Sequence, residues 1–221
     1  LVDFTPNDAA HIDINNVIIN HADCVATLPS AGGIGGDLTI TAGKFDCAGY
    51  DLSVGSITIA SGAEFRASSG TTTITNGNGG NAWDNNETDG TGFVHNNGTV
   101  DIHGRDNYNG NTSVYENTFY NLIVNMNTAS NNVYWYDITG NALEILGDLT
   151  VTKGEWERGT ASDTLTIHGN TYVEADGFFH KDSAAHTGQV THHGLVTNLG
   201  TYVTAAGVKN ALNGGVRNLG T

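Results

Sequence analysis

The sequence predicts an all-β fold, a right-handed parallel β-helix or closely related β-solenoid with polar loop excursions. The first observation is a repeated phrase, in which a glycine, a β-rich run and a second glycine occupy residues 36–43, 55–62 and 147–154. The second is regular spacing, since copies begin at residues 36 and 55 and again at 147 and 169. A unit of about 20 residues cannot bury its own apolar face, so it must stack on its neighbours.

The clearest strand patterns lie between residues 36 and 76, where β-branched residues alternate with polar ones between glycine or Ala-Ser-Gly turns. The strands predicted there are 37–41, 45–47, 51–54, 56–60, 63–67 and 71–75. The phrase Asn-Leu-Gly-Thr at 198–201 recurs at 218–221, which indicates the same step of one turn. Helix-type spacing is hard to find anywhere in the chain.

Three segments are predicted. Residues 1–35 lack the repeat and are predicted to form an N-terminal cap, because an open solenoid end exposes unpaired backbone groups. The β-solenoid is predicted over residues 36–207, and residues 208–221 are predicted to be a C-terminal end or a junction to a further segment. Two polar stretches, 77–92 and 104–116, are predicted to leave the stack as loops.

The charge of the chain restricts its partners. It carries 23 acidic and 8 basic residues, a net charge of −15. Nucleic acid is excluded as a partner, because binding it requires clustered Lys and Arg. The same charge argues against docking on anionic lipid, and no apolar run is long enough for membrane insertion.

Two sequence elements carry a resemblance to known proteins. One is Gly-Phe-Val-His-Asn-Asn-Gly-Thr-Val-Asp-Ile at 92–102 with Thr-Phe-Tyr-Asn-Leu-Ile-Val at 118–124, and the other is Gly-Asp-Leu-Thr-Val at 147–151. Together they resemble β-helical repeat regions of phage virion proteins (tail fibres, spikes and capsid-decorating proteins) and of bacterial surface adhesins. The resemblance implies a virion-surface or extracellular location and partnership with virion or surface proteins and with other copies of the chain, often as a homotrimer.

The function expected from this resemblance is structural and non-enzymatic, because none of the shared motifs is catalytic. Such a protein acts by surface coverage, stiffening or attachment, as a capsid decoration or as a fibre or spike. The alternative is a bacterial cell-surface adhesin or extracellular filament subunit that binds glycan. A third class, the polysaccharide-degrading β-helix enzymes, is disfavoured, since His-Gly occurs at 103, 168 and 193 without Asn-Thr-Asp, Asp-Asp or Arg-Ile-Lys segments.

No cofactor is expected, and calcium is the first metal that the sequence suggests. The candidate ligands supply the hard oxygen donors that calcium prefers, and they are Asp84, Asn86, Glu87 and Asp89. Their spacing fails the EF-hand pattern. A solvated acidic loop therefore stays open as the alternative.

The histidines suggest a second arrangement, in which one histidine per chain meets its copies on a trimer axis and binds a transition metal. The candidates are His180, His186, His192 and His193. Adjacent residues of a strand point to opposite faces, so only one of His192 and His193 could face such an axis.

Aromatic residues in or beside the polar stretches are candidates for binding. Trp83 lies in the first stretch, and Tyr134, Trp135 and Tyr136 form a run that cannot place all three rings inside one turn. Exposed aromatics bury a large area with little loss of entropy, which suits glycan or protein partners. Packing between subunits stays open as the alternative for the run at 134–136.

Two cysteines, Cys24 and Cys47, lie about one solenoid turn apart. They could be vertical neighbours joined by a disulfide in an oxidising compartment, or two buried thiols.

Overall fold

The computed structural model describes residues 15–75, 80–87, 91–104, 112–136, 142–158, 162–179, 188–203 and 210–221, except the side chains of residues 135, 136, 142 and 158. Every regular element in these ranges is a β-strand, so the all-β prediction is confirmed. Within the same ranges no helix could cross a membrane.

In chain order the strands are β1 (Val17–Thr27), β2 (Gly32–Ile34), β3 (Leu38–Asp46), β4 (Leu52–Val54), β5 (Ile57–Ile59), β6 (Ala63–Arg66), β7 (Thr71–Ile74), β8 (Gly80–Asn85), β9 (Phe93–Val94), β10 (Thr99–His103), β11 (Thr112–Tyr115), β12 (Thr118–Phe119), β13 (Asn121–Asn125), β14 (Asn132–Tyr136), β15 (Ala142–Ile145), β16 (Leu149–Arg158), β17 (Thr164–Ile167), β18 (Thr171–Phe179), β19 (Val190–His192), β20 (Val196–Asn198), β21 (Thr201–Tyr202), β22 (Asn210–Leu212) and β23 (Val216–Asn218).

Strands of consecutive turns pair in parallel and form three faces. Face A contains the first halves of β1 and β3, then β5, β8, β11, β14, the second halves of β16 and β18, and β21. Face B contains the second halves of β1 and β3, then β6 and β9, and after a break in strand pairing it continues with β12, β15, β17, β19 and β22. Across this break the ring of Phe93 in β9 packs on that of Phe119 in β12. Face C contains β2, β4, β7, β10, β13, the first halves of β16 and β18, β20 and β23.

The spacings read from the sequence are those of vertical neighbours. The amide of Gly55 donates to the carbonyl of Gly36 over 2.7 Å, and the amide of Gly169 donates to the carbonyl of Gly147 over 2.9 Å. Asn198 pairs in register with Asn218. Stacking of successive turns, on which the β-solenoid prediction depends, is therefore confirmed.

The core follows from strand alternation, because every second residue of a strand points inward. On face C the inward row is almost entirely β-branched, and its members in register are Ile34, Val54, Ile74, Ile102, Val124, Val151 and Val173. Each such side chain contributes about 1.5–3 kcal/mol when it is fully buried. In the last two turns the row continues as Asn198, which is buried, and Asn218, which is exposed, so the row ends in polar residues.

Side chains of Asn and Asp bridge the turns at the corner between faces B and C. The Oδ1 atom of Asn121 accepts the amide of Asp148 over 2.9 Å, and Oδ1 of Asp148 accepts the amide of Asn170 over 2.7 Å. Oδ1 of Asn170 in turn accepts the amide of Leu195 over 3.0 Å. These contacts satisfy backbone donors where the chain turns out of the strand ladder.

Glycine at this corner is required by close approach of the turns. A Cβ atom on Gly169 would lie 2.4 Å from the carbonyl carbon and oxygen of Gly147. We expect Gly169→Ala to lower the free energy of unfolding by about 2 kcal/mol, because neither backbone can give way without breaking the stack. Gly80 is the matched control, since a Cβ there meets nothing within 4 Å. Equal urea midpoints for Gly169→Ala and Gly80→Ala would contradict this expectation.

The two polar stretches depart from the stack less than predicted. Residues 80–85 form β8 and residues 112–115 form β11, and both strands belong to face A. The prediction that residues 77–92 and 104–116 leave the stack as whole loops is therefore wrong. The reason is alternation, since the polar side chain of Asp84 points outward between inward Trp83 and Asn85. Residues 76–79, 88–90 and 105–111 lie outside the described ranges.

The solenoid extends past both predicted limits of 36–207. Residues 17–27 form β1, which pairs in parallel with β3, and β2 pairs with β4. At the other end β22 and β23 pair with β19 and β20. Whether residues 1–35 act as a cap stays a prediction, because residues 1–14 lie outside the described ranges.

Both cysteines are free thiols, so the disulfide alternative is wrong. Val25 of β1 pairs with Lys44 of β3, which places Cys24 level with Gly43 instead of Cys47. One turn spans 19 residues here, from Val25 to Lys44, whereas Cys24 and Cys47 are 23 residues apart. The two cysteines are therefore not vertical neighbours. Burial, with a further contribution from Asp46, raises the pKa of the Cys47 thiol to about 12.

Candidate functional site

Trp83 lies at the centre of the aromatic core. Its ring centroid is 4.6 Å from that of Phe93, 5.4 Å from that of Phe119 and 5.7 Å from that of Phe65. The side chain is fully buried, because Trp83 pairs with Ile57 and Val114 in the inward row of face A. The prediction that Trp83 binds a partner from an exposed loop is therefore wrong, and its role is to fill the core where face A meets face B.

A buried carboxyl group lies beside this indole. Glu116 follows β11 and is 2% exposed. Its Oε2 accepts the indole N–H of Trp83 over 2.8 Å, and its Oε1 accepts the amide of Asn117 over 2.8 Å. The Nδ2 of Asn85 donates to both carboxyl oxygens over 3.1 Å. Burial raises the pKa of Glu116 to about 7, although these donors act in the opposite direction.

Asn85 links Glu116 to a second acidic residue. Its Oδ1 accepts the amide of Glu87 over 3.1 Å, while its Nδ2 binds Glu116. The carboxylate of Glu87 accepts the amide of Gly62 in the preceding turn. This chain of hydrogen bonds crosses three consecutive turns at the corner between faces A and B, so it joins the turns instead of opening a site to solvent.

Two of the four predicted calcium ligands use their carboxylates within the protein. Oδ2 of Asp84 accepts the side-chain amide of Asn81 over 3.0 Å, and Glu87 is buried against Gly62. In the part of the chain that the structure describes, no group of three or more His, Cys, Asp or Glu could hold a metal ion. Asn86 is exposed and Asp89 lies outside the described ranges, so calcium binding by this set stays a prediction.

The run at 134–136 belongs to β14 on face A. Tyr134 is partly buried, and its hydroxyl accepts the side-chain amide of Asn132 over 3.4 Å. The backbone of Trp135 pairs with Val114, which also pairs with Trp83 from the other side. The side chains of Trp135 and Tyr136 lie outside the described part of the chain, so a binding role for this run stays a prediction.

The two adjacent histidines point in opposite directions, as strand alternation requires. His193 is exposed and stacks on His168 with ring centroids 5.2 Å apart. His192 is fully buried, with Nδ1 2.8 Å from the Thr171 hydroxyl and Nε2 3.0 Å from the Tyr202 hydroxyl. His192 therefore cannot meet its copies on a trimer axis. His180 and His186 lie outside the described ranges.

Exposed large apolar side chains are most frequent in the C-terminal turns. Those at or beyond residue 195 are Leu195, Leu199, Val203, Leu212, Val216 and Leu219. A cleft of about 110 Å³ opens between β20, β21, β22 and β23 and is lined partly by Val196, Leu212 and Val216. The C-terminal turns therefore provide the main apolar surface among the described residues.

One signal in the sequence marks the buried network. The residues Thr-Ser-Val-Tyr at 112–115 alternate like a strand, and Glu116 directly follows them. A strand assignment there would have placed Glu116 at a corner of the stack.

No family model, no curated protein and no solved structure matches this chain.

Proposed function

We propose that the protein is a non-enzymatic structural component of a virion or extracellular assembly, located on the virion surface or outside the cell. It acts by surface coverage, stiffening or attachment, as a capsid decoration or as part of a fibre or spike. Its partners are virion or surface proteins and other copies of itself, with a homotrimer as the expected assembly. The observation that carries the proposal is the parallel stack that joins β1 to β23.

This architecture suits a mechanical role. Each turn contacts its neighbours through strand pairing and through the inward row from Ile34 to Val173, so stability is distributed along the stack. The buried network around Glu116 and Trp83 also joins consecutive turns. A stack held in this way resists bending and local unfolding, and it presents a long lateral surface for contacts. The carboxyl group of Glu116 is enclosed by protein groups, which supports a non-enzymatic role.

The second candidate is a cell-surface adhesin or extracellular filament subunit that binds glycan. A shallow depression of about 590 Å³ beside β9 favours it, and the lining residues are Thr91, Phe93, Val94, His95, Asn96 and Asn97. The ring of His95 stacks on Tyr120 at 5.7 Å. An apolar floor with an amide-rich rim suits a neutral sugar, which offers both hydroxyl groups and C–H faces.

The third class, a polysaccharide-degrading enzyme, requires a carboxyl group that reaches the sugar. Glu116 has the raised pKa that a general acid needs, but it is enclosed by Trp83, Asn85 and Asn117. This enclosure favours the structural role over the enzymatic one.

Immunogold electron microscopy tests the proposal. Antibodies against the purified chain are expected to label intact particles of the virus, or the surface of the cell, that encodes it. Labelling of virions supports the first candidate, and labelling of cell surfaces together with binding on a glycan array supports the second. Pre-immune serum is the control. Release of reducing sugar from polysaccharides by the purified chain, with no labelling of particles or cells, would overturn the proposal.

A further inference from the structure

Acidic residues are distributed unevenly along the chain. All 23 Asp and Glu residues lie within residues 1–182, whereas residues 183–221 contain none and include Lys209 and Arg217. Copies of a chain with a net charge of −15 repel one another in solution. The acid-free turns are therefore the part of the molecule at which two copies approach each other with the least repulsion.

Two leucines occupy the same corner in consecutive turns of this acid-free region. Leu199 follows β20 and Leu219 follows β23, and the two strands pair in register. They are 48% and 63% exposed. In earlier turns the residue after the inward row of face C is glycine or polar, and these residues are Gly35, Gly55, Thr75, His103, Asn125, Thr152 and Glu174.

The leucines belong to a broader patch on the outer surface of face C. Tyr172, Thr197 and Arg217 form one outward row in register across β18, β20 and β23. Leu195 lies on one side of this row and Leu199 on the other, and both are exposed, as is Tyr172. The C-terminal apolar patch is defined as Leu195, Leu199 and Leu219, and it is bordered in β18 by Tyr172 and by the exposed acidic residue Glu174.

The position of the patch has a physical consequence. Exposed apolar surface is unfavourable in water, and large contiguous apolar patches usually mark interaction sites. A second copy of this chain, meeting the first through the same patch, is the occupant that the charges favour, because residues 183–221 carry no side-chain carboxylate and include the cation Arg217, so two strongly acidic chains repel each other least there.

We propose that copies of this chain associate through the C-terminal apolar patch, with Leu199 and Leu219 as the main apolar contacts. The inference rests on the proposed function, which requires self-assembly, and it assigns that assembly to one face of the solenoid. Burial of the leucines between copies supplies the favourable free energy. Arg217 lowers the repulsion between two acidic chains at the contact.

Light scattering after size-exclusion chromatography, over a range of protein concentrations, tests this inference. The unaltered chain is expected to have a mass that is a multiple of 23.1 kDa. The double variant Leu199→Asp with Leu219→Asp is expected to dissociate at concentrations at least roughly tenfold higher than those at which the unaltered chain dissociates, since it places charges in the contact. Tyr50→Asp is the matched control, because Tyr50 is exposed on a distant turn and lies outside the patch.

Arg217→Glu is a second variant that does not depend on the leucines. Arg217 is exposed, so its reversal should leave the fold unchanged, as circular dichroism will check. It is expected to weaken association in the same direction, because it adds acidic charge to the patch. A monomer at every concentration, or an oligomer that neither variant weakens, would overturn the inference. Immunogold labelling tests the proposed function independently of these masses.

Discussion

Replacing Trp83 with alanine is expected to lower the free energy of unfolding by about 4 kcal/mol. The indole packs against Phe65, Phe93 and Phe119, so its removal leaves a large cavity where faces A and B meet. The same change removes the N–H that donates to Glu116 over 2.8 Å, which leaves a buried carboxyl with one partner fewer. Urea unfolding followed by circular dichroism measures the effect without depending on tryptophan fluorescence.

Two further variants separate the parts of this effect. Trp83→Phe keeps an aromatic ring in the core but loses the donor to Glu116 and part of the packed volume, so a cost of about 2 kcal/mol, smaller than that of Trp83→Ala, is expected. Tyr50→Ala removes an exposed ring elsewhere and is expected to change stability by less than about 0.5 kcal/mol. A Trp83→Ala variant as stable as the Tyr50→Ala variant would mean that the indole lies on the surface.

The repeated phrase predicted the stack but not the face that each copy occupies. The copies at 36–43 and 55–62 both supply strands of face A, so Gly36 and Gly55 are vertical neighbours. The copy at 147–154 supplies face C instead, with Leu149–Val151 in that face. A glycine, a β-rich run and a second glycine specify a strand between two corners, and any of the three faces can accept them.

The position of Trp83 was mispredicted because local composition and alternation disagree there. Residues 76–90 are rich in Asn, Asp and Gly, which is typical of a loop. Alternation nevertheless holds across β8, since Trp83 and Asn85 point inward and Asp84 points outward. The inward Asn85 hides the pattern, because a buried polar residue looks exposed until its partner is known.

The partner of Asn85 could not be read from the sequence. Glu116 is separated from it by 31 positions and from Trp83 by 33, more than the 19 to 22 residues of the repeats. Their contact depends on the length of the intervening turn, which contains residues 88–90 and 105–111 outside the described ranges. Regular repeats predict vertical neighbours only where the turn length is constant.

The stability of the protein is expected to fall as the pH rises from about 4.5 to about 7, because Glu116 is buried. Its pKa is about 7 in the folded chain against an ordinary value of 4.5, so the folded state holds a proton that the unfolded state has already lost. A raised pKa of this kind gives stability that is complete below the lower value and lost above the higher one. The loss amounts to about 3 kcal/mol over that window.

Glu116→Gln isolates this contribution. The glutamine side chain does not titrate, so the variant loses the part of the pH dependence of stability that comes from Glu116, whatever the effect of the substitution on overall stability. Urea midpoints at a series of pH values give the difference between the variant and the unaltered chain. The difference is needed because burial lowers the pKa of His95, which adds a slope of the opposite sign. Glu64→Gln is the control. Burial raises the pKa of Glu64, but Lys44 and Arg66 lower it by more, so the net pKa lies below its ordinary value of 4.5. The contribution of Glu64 to stability therefore changes with pH only below about pH 4.5. Parallel curves for Glu116→Gln and the unaltered chain between about pH 5 and 8 would show that the carboxyl is ionised in the folded core, held there by the donors of Trp83, Asn85 and Asn117.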